Sequence, residues 1–219
     1  MNDDLKKLAK QLINENYTLI DDLNRFDSIA SYAEQINALD GDVVETGVWK
    51  GGMSIFLANV FPEKTIWVCD SFEGCQNPGD AKFQYSQERH IYGMYGVSLE
   101  DVKKSFKNFG LDQPRIKYLK GFFRDSLEDK TCPIQKISLL RIDCDSYSAT
   151  LEVLTSLYDK VVSGGLIVFD DSCLYEARDA IKKFIEMKNL SLPLYSPDLK
   201  TIYEKVPDTC ACGCFFIKP

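Results

Sequence analysis

The sequence predicts an α/β fold: a mostly parallel β-sheet with helices on both faces. Two observations predict it. Short apolar runs rich in β-branched residues alternate with segments whose apolar positions recur every three or four residues, the order that parallel strands joined by crossover helices require. Several of these runs also stop in a glycine turn or an acid, at the sheet edge where such folds bind ligands. With 219 residues, the chain is long enough to bury one continuous core. Residues 1–219 are therefore read as a single domain, with 1–40 as a helical N-terminal segment.

Each element has its own signal. Leu5, Leu8, Leu12 and Ile13 repeat at helical spacing near the N-terminus. "GDVVETG" (41–47) reads as a strand entering a glycine turn, and "MSIFLANVF" (53–61) as the helix after it. "KTIWVCD" (64–70) is a second strand. Residues 73–97, rich in Gly, Gln and Tyr without periodicity, are expected to form a lid loop. "SLEDVKKSFKNFG" (98–110) opens on a capping box, Ser98 to Asp101, and stops at Gly110, so it is a helix. "RIKYLKG" (115–121) and "ISLLRID" (137–143) are the third and fourth strands. The helix "SATLEVLTSLYDKVVSGG" is expected to end at Gly164 and Gly165, before a fifth strand "LIVFDD" (166–171) and a helix "YEARDAIKKFIEMKN". Segments Thr201–Lys205 and Gly213–Lys218 are expected to pair as a C-terminal antiparallel hairpin.

Charge and composition exclude several classes of partner. The net charge is −7 and no Lys/Arg run exceeds two residues, which argues against nucleic acid or an anionic membrane as the main partner. No apolar stretch approaches the roughly 20 residues of a membrane span, and "MNDDLKKLAK" has no signal-peptide core. A reducing, cytoplasmic location is expected. The eight cysteines are accordingly read as thiols. In "CACGC", Cys210, Cys212 and Cys214 would share one face of a strand, a spacing unlike the usual zinc pairs.

The strand ends carry the chemistry. In "ETGVWKGG", Gly47 and Gly51 let the backbone turn sharply and approach a ligand, and the next helix offers unpaired N–H groups near Ser54. Asp70 closes the second strand, where an acid can accept from ribose hydroxyls. A dinucleotide site needs G-x-G-x-x-G, which is not what this turn spells. Glu45 beside the turn would repel a pyrophosphate and suits a cationic group, such as the amine or sulfonium of S-adenosylmethionine.

Asp143, Asp170 and Asp171 fall at the ends of neighbouring strands. Two carboxylates about 4 Å apart repel by ~1 kcal/mol in water and ~4 kcal/mol at an effective dielectric of 20. A divalent cation resolves that conflict, and oxygen-only ligands favour Mg²⁺ over Mn²⁺ or Ca²⁺. The plainer alternative is that Asp171 or Ser172 caps the next helix. His90, the sole histidine, lies in the lid segment, where an imidazole can accept a hydroxyl proton or simply be solvated.

"GDVVETGVWKGG", "CDSFEG", "SLEDVKKSF", "LKGFFRDSL", "LRIDCDSYSATLEVLTSLYDKVVSGGLIVFDD" and "ARDAIKKF" together resemble the macrocin O-methyltransferase (TylF-like) family, from about Arg25 to near the C-terminus. The resemblance implies a Rossmann-like class I methyltransferase that uses S-adenosylmethionine and Mg²⁺ to methylate a hydroxyl, often on a sugar. By position, it implies Asp143, Asp170 and Asp171 as metal ligands and Asp145 as general base. It also implies Glu45, Gly47, Gly51 and Asp70 as cofactor positions, with Gly121 and Phe122 near the adenine; Thr46, Ser54, Ser71 and Asp143, beside them along the same edge, complete the expected cofactor set. The family's "DGDxYEST" is "DCDSYSAT" here, with Cys144 in place of a glycine, and the C-terminus is Cys-rich. The expected partner is a sugar-like hydroxyl acceptor, and a homodimer is compatible with the sequence. Two other readings remain on sequence grounds: a nicotinamide-dependent oxidoreductase and a non-catalytic binding protein.

Overall fold

The computed structural model describes residues 1–85, 92–128 and 130–219. Three helices come first: α1 (Asp3–Asn14), α2 (Leu23–Ser31) and α3 (Ala33–Ala38). Strand–helix alternation follows with β1 (Asp42–Thr46), α4 (Gly52–Val60), β2 (Ile66–Asp70), α5 (Leu99–Asn108), β3 (Ile116–Lys120) and the short α6 (Phe123–Ser126). The remainder is β4 (Ile137–Ile142), α7 (Tyr147–Leu157), β5 (Val161–Phe169), α8 (Tyr175–Lys188), β6 (Leu194–Tyr195), β7 (Ile202–Tyr203) and β8 (Cys214–Ile217).

Side-chain chemistry explains the helix starts. The Asn2 side chain accepts from Leu5 N–H, Asp22 from Asn24 N–H, and Ser146 from Ala149 N–H, so α1, α2 and α7 begin on capped amides. Ser98 caps α5 by accepting from Asp101 N–H at 3.2 Å, and its hydroxyl donates to the Asp101 carboxylate.

One eight-stranded sheet runs in the order β3-β2-β1-β4-β5-β8-β6-β7. The first five strands are mutually parallel, and β8, β6 and β7 add an antiparallel half. Alternate residues of each strand feed two separate cores. Val43, Leu139 and Leu166 pack with Phe26, Phe56 and Phe106 on one face. Val44, Leu140 and Ile167 pack with Leu154, Ile181 and Phe184 on the other. That alternation is what a parallel sheet covered by helices on both sides requires. None of the helices is long and apolar enough to cross a membrane, among the described residues.

Four expectations change. The helix expected to reach Gly165 ends at Leu157, and Val161–Gly165 belong to β5. The tail of β8 extends β5 backwards, with Gly164 N–H donating to Lys218 O and Lys218 N–H donating to Gly165 O. The C-terminal hairpin is formed by β6 and β7, while β8 inserts between β5 and β6, so the two expected partners are not adjacent. Finally, Cys173 and Cys212 form a disulfide, with Cα atoms 4.6 Å apart, where free thiols were expected. Cys214 lies on β8, but Cys210 and Cys212 lie in the preceding loop, so the three do not share a strand face.

The chain order also fixes where ligands go. Strand order reverses between β1 and β4, and an open parallel sheet binds at the carboxyl ends beside such a switch. Ladder hydrogen bonds continue past the strands there: Gly47 N–H to Cys69 O, Asp143 N–H to Thr46 O, Asp170 N–H to Ile142 O and Gly121 N–H to Asp70 O. These bonds hold the four loop starts side by side.

Candidate active site

A cavity of about 290 Å³ opens over that edge. Its floor is the turn after β1. Gly47 has φ +79°, and a Cβ there would lie 1.6 Å from the Asp143 carbonyl oxygen. Only glycine lets the β1 turn lie against the end of β4. Trp49 (φ +48°) and Phe72 (φ +57°) also hold left-handed conformations beside the cavity, a strain that the hydrogen bonds of Asp70 stabilise. The Asp70 carboxylate accepts from Val48 N–H at 2.7 Å and from Phe72 N–H at 2.8 Å. One acid thus ties the β1 and β2 turns together. Burial raises its pKa, opposed by those same amides.

Glu45 is 1% exposed and is bound by the Arg141 guanidinium and the Ser54 hydroxyl. The cation facing Glu45 within the protein is therefore Arg141. Burial pushes the Glu45 carboxyl up to about 7, against the pull of Arg141 and Ser54. Arg141 also reaches Asp143 at 2.9 Å and pairs with Asp170. One buried guanidinium therefore organises acids from the ends of β1, β4 and β5. We predict that Arg141→Met destabilises the fold by ~3–5 kcal/mol, because it strands buried carboxylates. Urea unfolding measures this directly, and a loss below about 1 kcal/mol would contradict it.

The acids divide into two groups. Carboxylate oxygens of Asp143, Asp145 and Asp171 all lie within 4.8 Å of one another. Asp145 sits at φ +55°, and its N–H donates to Asp171 at 2.8 Å. Burial, and then the Asp143 and Asp145 charges, hold Asp171 well above the usual carboxylate range. The fourth acid, Asp170, was expected among the metal ligands. Its carboxylate instead meets two guanidinium groups, those of Arg25 on α2 and Arg141. Asp145 takes its place in the converging set. A converging set of oxygen-only donors fits a hard divalent cation.

Of the residues expected to bind the cofactor, Glu45, Gly47, Asp70, Ser71, Gly121, Phe122 and Asp143 line the cavity. Thr46, Gly51 and Ser54 do not. Thr46 is fully buried and donates to the Arg141 carbonyl. Gly51 packs against Phe106 and Val102, and Ser54 serves Glu45. His90 lies outside the described residues.

Of the segment expected to form a lid, 73–97, the structure describes two pieces, 73–85 and 92–97. The first is pinned down: Gln76 and the Lys82 N–H both donate to the buried Glu152, and Tyr85 stacks on Tyr147 and donates to Asp179 at 2.5 Å. In the second, Met94 and Tyr95 are exposed yet line the cavity.

Arg25 went unmarked by the sequence, since an arginine in an amphipathic helix looks like any surface charge. It is the one basic side chain among the described residues lining the cavity, against six acids.

Residues 1–205 match the model of the macrocin O-methyltransferase (TylF) family. The chain is 32% identical over 178 residues to mycinamicin III 3''-O-methyltransferase of Micromonospora griseorubida, covering 76% of this chain and 69% of that enzyme. It is 31% identical to demethyldecarbamoylnovobiocin O-methyltransferase of Streptomyces niveus, covering 83% and 72%. Among solved structures, the O-methyltransferase NovP superposes with a TM-score of 0.77 at 30% identity, covering 90% of this chain and 80% of that one.

Proposed function

The chain belongs to the macrocin O-methyltransferase (TylF) family, and we propose that its cavity takes S-adenosylmethionine, a sugar-bearing acceptor and a divalent cation, Mg²⁺. The observation that carries this reading is the convergence of Asp143, Asp145 and Asp171 beside the glycine cradle of Gly47. The same family membership removes the nicotinamide oxidoreductase alternative. Residues 1–219 are read as one methyltransferase domain.

When bound, S-adenosylmethionine supplies an electrophilic methyl group and Mg²⁺ lowers the pKa of an acceptor hydroxyl. The chain's own residues do the rest. Asp143 and Asp171 would hold the cation, and Asp145, on the same side, would take the hydroxyl proton at its carboxylate. Asp70, which ties the β1 and β2 turns together, and the cradle at Gly47 would hold the cofactor when it is bound. Holding the two reactants in line supplies much of the rate. Met94 and Tyr95 at the rim exclude water and offer apolar surface to the acceptor. Two relatives are named for mycinamicin III and demethyldecarbamoylnovobiocin, and a glycosylated natural product is the corresponding class here.

Transfer of labelled methyl from S-adenosylmethionine to a panel of glycosylated acceptors, with mass spectrometry of the product, tests the reading. Label appearing on no hydroxyl across the panel, with the cofactor bound, would support the non-catalytic alternative. Asp70→Ala is expected to weaken S-adenosylhomocysteine binding by ~1–3 kcal/mol in calorimetry, the cost of losing charge-assisted hydrogen bonds. Unchanged affinity would remove Asp70 from the site.

A further inference from the structure

The disulfide lies at the rim of the cavity, between two segments that both touch the site. Cys173 is in the turn between β5 and α8, two residues beyond Asp171, and Cys212 is in the loop before β8. Both line the cavity and both are half-buried, so a small reductant can reach them. The other six cysteines are free thiols. A chain of this size with two large cores has no need of a covalent staple.

The loop carrying Cys212 is laid along the end of β5 atom by atom. Gly213 N–H donates to the Phe169 and Asp170 carbonyls at 3.0 and 2.9 Å. Ser172 Oγ donates to Ala211 O at 2.6 Å and accepts from Cys214 N–H at 3.2 Å. Cys210 Sγ lies 2.8 Å from Ser172 O. On its other side the loop presses on α2: a Cβ on Gly213 would lie 2.9 Å from Arg25 Cγ. Arg25 in turn pairs with Asp170. The loop therefore backs the side chain that neutralises one of the site's acids.

We propose that the Cys173–Cys212 bond is a redox-modifiable latch whose opening by a dithiol loosens residues 210–214 and weakens cofactor binding at the adjoining cavity. The exchange balances simply. A reductant thiolate attacks one sulfur and forms a mixed disulfide, and its second thiol displaces the protein. Two electrons and two protons pass to Cys173 and Cys212, which end as thiols, while the reductant ends as its own disulfide. The consequence for the cavity rests on its being the cofactor site; the bond and the loop's response do not.

Three measurements on the full-length protein test this together. Differential alkylation and peptide mapping, before and after a dithiol, should find Cys173 and Cys212 joined in protein prepared without reductant. Amide exchange at Gly213 and Cys214 should speed by roughly tenfold or more on reduction, because the tether no longer limits local opening. S-adenosylhomocysteine affinity should fall several-fold and recover on reoxidation. Cys173→Ser and Cys212→Ser should sit at the reduced values whatever the redox state, while Cys132→Ser should respond like the parent. The proposal is overturned if both thiols alkylate fully before reduction, if exchange and affinity match in the two states, or if the four cysteines near Ser172 hold stoichiometric zinc instead. Failure of S-adenosylhomocysteine to bind either form would refute the cofactor reading while mapping and exchange still decide the latch.

Discussion

Asp145→Asn is expected to cut turnover by about 10²–10⁴-fold, the usual contribution of a positioned general base, while S-adenosylhomocysteine affinity stays within about threefold. Asparagine is the informative replacement for a conformational reason. Asp145 holds φ +55°, and Asn tolerates the left-handed region nearly as well as Asp. The bond from its backbone N–H to Asp171 does not involve the side chain, so it survives the change. Single-turnover kinetics at saturating cofactor would show the loss in the methyl-transfer step, with the melting temperature little altered. Full turnover in this variant would pass the proton to another acceptor and end the proposed role.

Chelation is the second large effect. Removing divalent cations should abolish methyl transfer, and added Mg²⁺ should restore it. Asp171→Asn should lose most of the metal affinity yet leave the metal-free protein more stable than the parent. The sign follows from the protonation of Asp171, whose folded-state pKa is held above the ordinary carboxylate value by burial and by Asp143 and Asp145. The folded protein then binds a proton that the unfolded chain releases near pH 4, so stability falls as pH rises through and beyond that value. Metal-free parent protein should therefore melt at progressively lower temperature as pH rises, and the slope should flatten in Asp171→Asn and with Mg²⁺ bound. Equal slopes in all three samples, or full activity in excess chelator, would sink the metal role.

Much of this site was legible from strand ends alone. Gly47, Asp70, Asp143 and Asp171 each follow an apolar run, and the parallel topology does the work of bringing them to one edge. What escaped the sequence depends on contacts between distant segments. Arg141 sits inside an apolar strand, and nothing local marks it as the hub of three acids. Arg25 comes from a helix more than a hundred residues before the acid it meets, and no local pattern marks it. Ser54 and Gly51 look like ligand contacts because they open a helix after a glycine turn, yet burial turns one towards Glu45 and the other towards Phe106. The β6–β7 pairing was missed because two-residue strands carry too little alternation to set a register. β8 was recognised, but its place inside the sheet follows from the free edge of β5, a property of the assembled sheet.

That position of β8 bears on how the protein is made. Emerging in order from the ribosome, the chain can assemble the parallel sheet from β3 to β5 once residue 169 is available. It must then wait for residues 214–217 before the edge of β5 is covered. During that interval a long apolar edge, Leu166–Phe169, stands unpaired and open to another nascent copy. Among the described strands the β6–β7 hairpin attaches to the sheet through β8, so it does not reach the edge of β5 itself. The last strand of this sheet in chain order is thus the one that closes the door on aggregation.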